Sequence, residues 1–461
     1  MAGSGTRVKG RTGVRKASIA VAAGAVLAVT FAIPAAAQDS ELSGDLHWRT
    51  LAGAGSYTDV GPIVAQRFME LHPGVTITHE NTPGDAYTEA MYTSAATGRT
   101  PDIFFSHSGW TQTFADRGVS LNLNPFFEAE SDFTLDDWNQ ALLLAGTTVD
   151  MGSAAAGEAH VLGMSSDVWT VICNLDMLAE AGYDGIPDTS WTFEDLQEVA
   201  RATTVRDDSG NVTRWGFGAA NDVADVIQNA IVSAGGTWLD EETQTLPVTP
   251  EFIEGIRNVW DPIKEGIYMS VEDLDVLGGG APEQPFLNEQ LACMQGAIWS
   301  TPQIVDATFP WDVTTMPTGP GGSFAGGGTA GWSIAADSEH PDVAWELMKF
   351  IFAPEQYELW TSAKSVVPPL TSLADSDWAP DVPNADRFLT AAENLIMLPR
   401  GPVFDSDEIF TALPDAYNKY VVQDLPLEDV LADLKAEIDA ALAEKPAVVV
   451  SVPVGATSTD G

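Results

Sequence analysis

The amino-acid sequence predicts a two-domain α/β protein, and three observations carry that expectation. The chain has 461 residues, and at roughly 100–200 residues per domain two domains is the natural division. It is 45% hydrophobic and 9% aromatic with only 19% charged residues, enough apolar side chain for a large core and the wrong balance for an acidic disordered chain. Short apolar runs alternate with amphipathic helical stretches, the signature of sheets covered by helices.

Residues 1–37 read as a leader. Arg7, Lys9, Arg11, Arg15 and Lys16 form a basic start without an acid, Ile19 to Ile33 is an apolar run, and Pro34-Ala35-Ala36-Ala37 supplies small residues. This is the pattern of a secretory signal cut after Ala37. The run is shorter than the ~20 residues that span a bilayer. No Cys stands at the junction to carry a lipid and no twin-Arg pair precedes it. The mature protein is expected to be soluble and extracytoplasmic, in the periplasm or secreted.

The elements follow in order. Leu46–Leu51 reads as a strand and Gly61–Leu71 as a helix with Ile63, Val64, Phe68 and Leu71 on one face. His72-Pro73-Gly74 stops it, because proline cannot continue a helix and glycine accepts the left-handed exit. Val75–His79, Tyr87–Ala96 and Asp102–Ser106 continue as strand, helix and buried strand, giving a β-α-β-α-β start. Trp169–Asn174 is a further strand. Thr192 with Asp195 three residues on resembles a capping box before Leu196, Val199 and Ala200. Asp207-Asp208-Ser209-Gly210-Asn211 is a turn, since it lacks the spaced ligands and closing Glu of a calcium loop. Gly319–Gly328 has no following Lys-Ser/Thr and reads as a flexible crossing before the strand Gly331–Ala335, not a phosphate loop. Pro341 opens a helix whose buried stripe is Val343, Ala344, Leu347, Met348 and Ile351. Leu427, Leu431, Leu434, Ile438 and Leu442 mark a long C-terminal helix, and 446–461 reads as a poorly ordered tail.

Charge excludes several partners. The net charge is −45, and removing the leader leaves 16 basic residues against 66 acidic ones, a net of −50. Phosphate backbones and anionic membrane surfaces repel such a chain, so no nucleic-acid partner is expected. The six His (47, 72, 79, 107, 160 and 340) show no metal-ligand spacing. There is no G-x-S-x-G elbow. No catalytic residue, metal or cofactor is expected. With 66 acids, a carboxylate pair of the glycosidase type is inevitable somewhere and so uninformative. Cys173 and Cys293 are the only cysteines. Outside the cytoplasm a pair reads as one disulfide, with two buried thiols as the alternative.

Several phrases then line up in order. They are Phe68-Met69-Glu70-Leu71-His72-Pro73-Gly74-Val75, Gly98-Arg99-Thr100-Pro101-Asp102-Ile103 and Asn122-Leu123-Asn124-Pro125-Phe126. They continue with Val171 to Leu178, Ala181-Gly182 and Trp191-Thr192, then Phe286 to Trp299, Gly331 to Ile334 and Ala344 to Met348. Over nearly all of the mature chain this order and spacing resembles the extracytoplasmic solute-binding proteins of ABC importers, in the sugar-binding branch that includes maltose-binding protein. Cys173 stands where that family usually has an aromatic, and the usual lipid-anchoring Cys is missing.

The resemblance implies the two-lobe periplasmic-binding-protein fold of type II, with the ligand cleft between α/β lobes joined by several crossing segments at a hinge. Crossings are expected near 160, 329 and 380. One lobe would comprise 38–159 plus 330–380, the other 160–329 plus 381–445. It also places Cys173 and Cys293 on strands of one lobe, which makes their disulfide credible. It implies a monomer that captures a sugar or oligosaccharide and delivers it to the transmembrane subunits of an ABC permease. A glycerol phosphate or amine is the alternative solute, and a secreted glycoside hydrolase the rival from another class.

Sugar recognition needs aromatic faces for the C–H patches of the ring and planar polar groups for paired hydroxyls. Trp110 follows a strand at its C-terminal edge, where open α/β sheets bind ligands. Asp167 and Trp169 lie two residues apart near the expected hinge. Trp299 matches a family Trp that commonly stacks on sugar. Gly331 and Trp332 sit at the second crossing, and Tyr57 follows the first strand. Arg400, in Pro399-Arg400-Gly401-Pro402, is one of few cations in a very acidic chain. Each of these Trp has a plain packing role as its alternative, and Trp191, Trp345 and Trp360 read as packing.

Overall fold

The computed structural model describes residues 42–52, 56–130, 133, 158–219, 223–240, 242–364, 366–369, 378–379, 381–396 and 407–444. The expected leader, the expected tail and Arg400 lie outside them. Among the described residues no helix is long and apolar enough to cross a membrane.

The first sheet grows from the start the apolar periodicity predicts. Strand β1 (Ser43–Ala52), a helix Ser56–Leu71, β2 (Gly74–Pro83), a helix Gly84–Ala96 and β3 (Ile103–His107) make two parallel crossovers, with β1 between β2 and β3. The first helix starts five residues before the expected Gly61 and runs through Pro62. Its buried stripe is Val60, Val64 and Phe68, spaced four residues apart. Of the others expected on that face, Ile63 is 47% exposed because it lies off the stripe, and Leu71 is 63% exposed as the last residue of the helix.

Ten further strands follow, three of which complete this sheet. Strand β4 (Leu162–Val168) is followed directly by β5 (Thr170–Asn174). A two-stranded hairpin of β6 (Val205–Arg206) and β7 (Val212–Gly218) encloses the Asp207 turn, whose carboxylate accepts from the backbone N–H of Ser209 and Asn211 at 2.8 and 2.9 Å. Then come β8 (Leu291–Gly296), β9 (Trp311–Thr315) and the short pair β10 (Thr318–Gly319) and β11 (Gly322–Ser323). Strand β12 (Ala325–Ile334) returns antiparallel to β3 and to β4, and β13 (Leu395–Ile396) pairs parallel with β12. The first sheet is ordered β13-β12-β3-β1-β2 with β4 also on β12, and the second is β6-β7-β8-β5-β9. Together they form the two-lobe α/β architecture.

The glycine-rich run is not a loose crossing. Gly326, Gly327 and Gly328 lie within β12. A Cβ on Gly327, at φ +144°, would stand 1.8 Å from the Asp167 carbonyl oxygen, and one on Gly331 would stand 2.1 Å from that of Leu162. Glycine is needed because β4 and β12 pass too close for side chains.

Helix signals hold where the caps were legible. The Asp195 N–H donates to Thr192 Oγ1 at 3.1 Å and the Thr192 N–H to Asp195 Oδ2 at 2.7 Å, which closes the capping box of helix Phe193–Thr203. Helix Pro341–Ile351 buries the five expected residues, and helix Leu427–Ala443 buries Leu427, Leu431, Leu434, Ile438 and Leu442. Each of the Val, Leu, Ile and Met side chains among them contributes about 1.5–3 kcal/mol on burial.

Core membership switches at three places. Leu162 and Met164 of β4 belong to the core of the first sheet and Val168 to that of the second. In β12, Ala325 belongs to the second and Ala330, Trp332 and Ile334 to the first. Val366 packs in the first and Val367 in the second, earlier in the chain than the crossing placed near 380.

Cys173 and Cys293 face each other in register on antiparallel β5 and β8, both fully buried, and form a disulfide with Cα atoms 4.1 Å apart. It closes a 120-residue separation, which the chain-entropy account values at up to about 4–5 kcal/mol. Replacing both by Ser is expected to lower the unfolding midpoint, and a reducing agent should then have no further effect on that variant. An unchanged midpoint in denaturant would show that the bridge contributes nothing.

Candidate ligand-binding site

Strand ends and the turns after them converge on one cavity of about 470 Å³. Leu51 and Ala52 end β1, and Tyr57 lies in the first turn of the helix that follows. His107 ends β3, and Trp110 lies two residues into the next helix, Ser108–Asp116. These are the C-terminal ends of parallel strands, where side chains can converge without disturbing the sheet. Further lining comes from the short helical turn after β8, which carries Trp299, and from Gln303 four residues on. Asp167, on β4, also lines the cavity.

The aromatic walls are braced from behind. Trp110, half-buried, stacks on Tyr87 at 5.4 Å between ring centres and 10° between planes, and its ring centre is 4.0 Å from that of His107. Trp299, also half-buried, meets Trp169 edge-to-face at 5.0 Å. Trp169 therefore orients Trp299 and is not part of the lining. Tyr57 sits edge-on to Phe105 at 5.1 Å and to Trp332 at 5.6 Å.

The polar groups are few. Asp167 is half-buried, and burial pushes its carboxyl up to about 7, against a smaller opposing effect from the Ser165 hydroxyl bonded to it. Tyr57 is 4% exposed. Burial first and the Asp167 charge second raise its phenol well above 10, so it stays a neutral donor. Its buried hydroxyl has no hydrogen-bond partner among the described residues. The amide of Gln303 is exposed to the cavity. No Lys or Arg is among the described residues that line it. No cluster of His, Cys, Asp and Glu among the described residues could hold a metal ion.

Four of the expected residues, Tyr57, Trp110, Asp167 and Trp299, thus meet at one cavity. Three others, Trp169, Gly331 and Trp332, are not among its lining residues. Trp332 is fully buried in the core of the first sheet among Trp48, Tyr57, Phe105 and Trp360, and its Nε1–H donates to Met164 Sδ at 3.2 Å. Gly331 is sandwiched in register between Ser106 and Gly163. Phe105, His107 and Gln303 were not expected. His107 had a signal, as the last residue before the turn that carries Trp110. Gln303 also had one, four residues after Trp299 in a helical turn. A second hollow of about 480 Å³ is lined by residues 183–199 alone, and its Trp191 is already committed, donating Nε1–H to the Thr315 carbonyl at 2.9 Å.

Residues 54–358 match the family model described as bacterial extracellular solute-binding protein. No curated protein matches the chain in sequence. Solved structures share its fold. One is the ABC substrate-binding protein Lmo0181 from Listeria monocytogenes in complex with cycloalternan, at 18% identity and TM-score 0.74 over 87% of this chain and 99% of that one. Another is the sugar-binding protein MalE from Xanthomonas citri, at 16% identity and TM-score 0.72 over 87% and 98%. A third is the GacH receptor of Streptomyces glaucescens, solved unliganded and with acarbose, at 18% identity and TM-score 0.71 over 88% and 100%.

Proposed function

This chain belongs to the family of bacterial extracellular solute-binding proteins, and from that membership we propose that it is the substrate-binding component of an ABC-type carbohydrate importer. It captures a sugar or oligosaccharide in the cavity between its lobes and hands it to membrane permease subunits. The observation that carries this is that two braced indoles, Trp110 and Trp299, line one cavity whose polar groups are a carboxyl, a phenol, an amide and the His107 imidazole. Indole faces cover the apolar faces of pyranose rings, and the polar groups bond hydroxyls in between. The lack of a cation among the described lining residues disfavours a phosphorylated solute. Cycloalternan and acarbose, bound by proteins of the same fold, are carbohydrates.

The lobes in this reading are 38–159 plus 330–380 and 160–329 plus 381–445, and core membership changes between Met164 and Val168, between Ala325 and Ala330 and between Val366 and Val367. Secretion after cleavage at Ala37, the permease partnership, a monomeric state and the absence of catalysis belong to the same proposal. Trp110, Trp299, Tyr57 and Asp167 are its binding residues.

A thermal-shift panel of maltotriose, mannotriose and acarbose tests it. A ligand at about 100 times its dissociation constant adds about 2.7 kcal/mol, so one sugar should raise the midpoint clearly and change Trp fluorescence. Accumulation of reducing ends would instead mean a hydrolase.

A further inference from the structure

Asp167 is placed unlike an ordinary cleft carboxylate. It lies on β4 at the point where that strand leaves one core for the other, between Met164 in the first and Val168 in the second. Its backbone is pinned in register with Gly328 of β12, and its carbonyl fills the space a Cβ on Gly327 would take. The side chain therefore cannot retreat from the cavity by a shift of its strand.

Two phenols lie close enough to feel its charge. They are Tyr57 on the helix after β1 and Tyr357 on helix Pro354–Ser362, and the Tyr357 hydroxyl is already spent on the Met164 carbonyl at 2.6 Å. Ser165 on its own strand bonds it, and His107 at the end of β3 lines the same cavity. No Lys or Arg compensates it among the described lining residues. The Tyr57 hydroxyl, buried and without a partner among the described residues, is free to donate.

We propose that Asp167 and Tyr57 form a proton-linked recognition pair: ligand hydroxyls donate to an ionised Asp167, so that capture releases a proton and weakens in acid. This rests on the carbohydrate reading of the cavity and adds regulation to it. An ionised carboxylate only accepts, and three donors meet here: the Ser165 hydroxyl, the freed Tyr57 hydroxyl and the ligand's own. Bonds donated to the charged form stabilise it. In the empty cleft, burial alone holds the carboxyl near 7. Binding pulls that value down, so affinity is full above about 7 and falls below it, by at most tenfold per pH unit for one proton.

Calorimetric titration with maltotriose and mannotriose, which do not themselves ionise, is the test. The wild type should bind about tenfold more weakly at pH 5.5 than at pH 7.5. Asp167→Asn should bind weakly and equally at both, and Tyr57→Phe should keep a shallower pH dependence. Flat or acid-strengthened binding by the wild type would overturn the pair and leave the carbohydrate reading intact. No binding of either sugar at pH 7.5 would overturn both. Ligand-free stability gives a second readout. A carboxyl held above its unfolded value keeps a proton that the unfolded chain releases, so stability falls as pH rises from about 4 toward 7. Asp167→Asn should lack that fall and melt higher than the wild type at pH 8, and an equal fall in both would place the titrating group elsewhere.

Discussion

Replacing Trp299 by Ala is expected to weaken sugar capture about a hundredfold while costing the empty protein little stability. The ring lines the cavity, and truncating a central aromatic anchor typically costs roughly 2–4 kcal/mol of binding. Its bracing contact is the edge-to-face pair with Trp169, and such a pair is worth about 1 kcal/mol. Titration calorimetry and denaturant unfolding on the same variant separate the two effects. Full-strength binding by Trp299→Ala would remove this wall from the site.

The opposite pattern is expected one layer away. Trp332→Ala should destabilise the fold by about 3–5 kcal/mol, the cost of emptying a large, fully packed core site. Four aromatic rings surround it and its indole nitrogen is bonded to Met164. Under conditions where the variant stays folded, its sugar affinity should fall far less than that of Trp299→Ala. A stable Trp332→Ala protein that no longer binds would return Trp332 to the ligand site.

These two tryptophans also mark how far the sequence could be read. Trp299 follows a strand end in a turn, and turn residues at strand ends point into clefts. Trp332 sits in β12, which lies between β13, β3 and β4, and residues 329–334 are all buried. A strand covered on both faces loses the two-residue alternation that would tell a core side chain from a cleft one. The same packing hid the nature of the glycine run. Composition reads Gly319–Gly328 as loose, whereas the close passage of β4 and β12 makes Gly327 a condition of the strand.

Local signals fared better than distant ones. The Thr192–Asp195 box and the leucine spacing of Leu427–Ala443 are written within a few residues and appear as expected. Tyr57, Trp110, Asp167 and Trp299 meet because each lies at a strand end or a crossing, which apolar runs reveal. The brace of Tyr87 behind Trp110 depends on contacts between residues distant in sequence and leaves no local trace.

One cavity, lined by Trp110 and Trp299, is proposed to capture a carbohydrate. The most direct measurement is calorimetric titration of wild type and Trp299→Ala with the panel sugar that gives the largest thermal shift, at pH 7.5. The expected result is one site per chain in the wild type, about a hundredfold weaker binding in the variant and no consumption of the sugar. Equal affinity in the two proteins, or steady release of reducing ends, would contradict it.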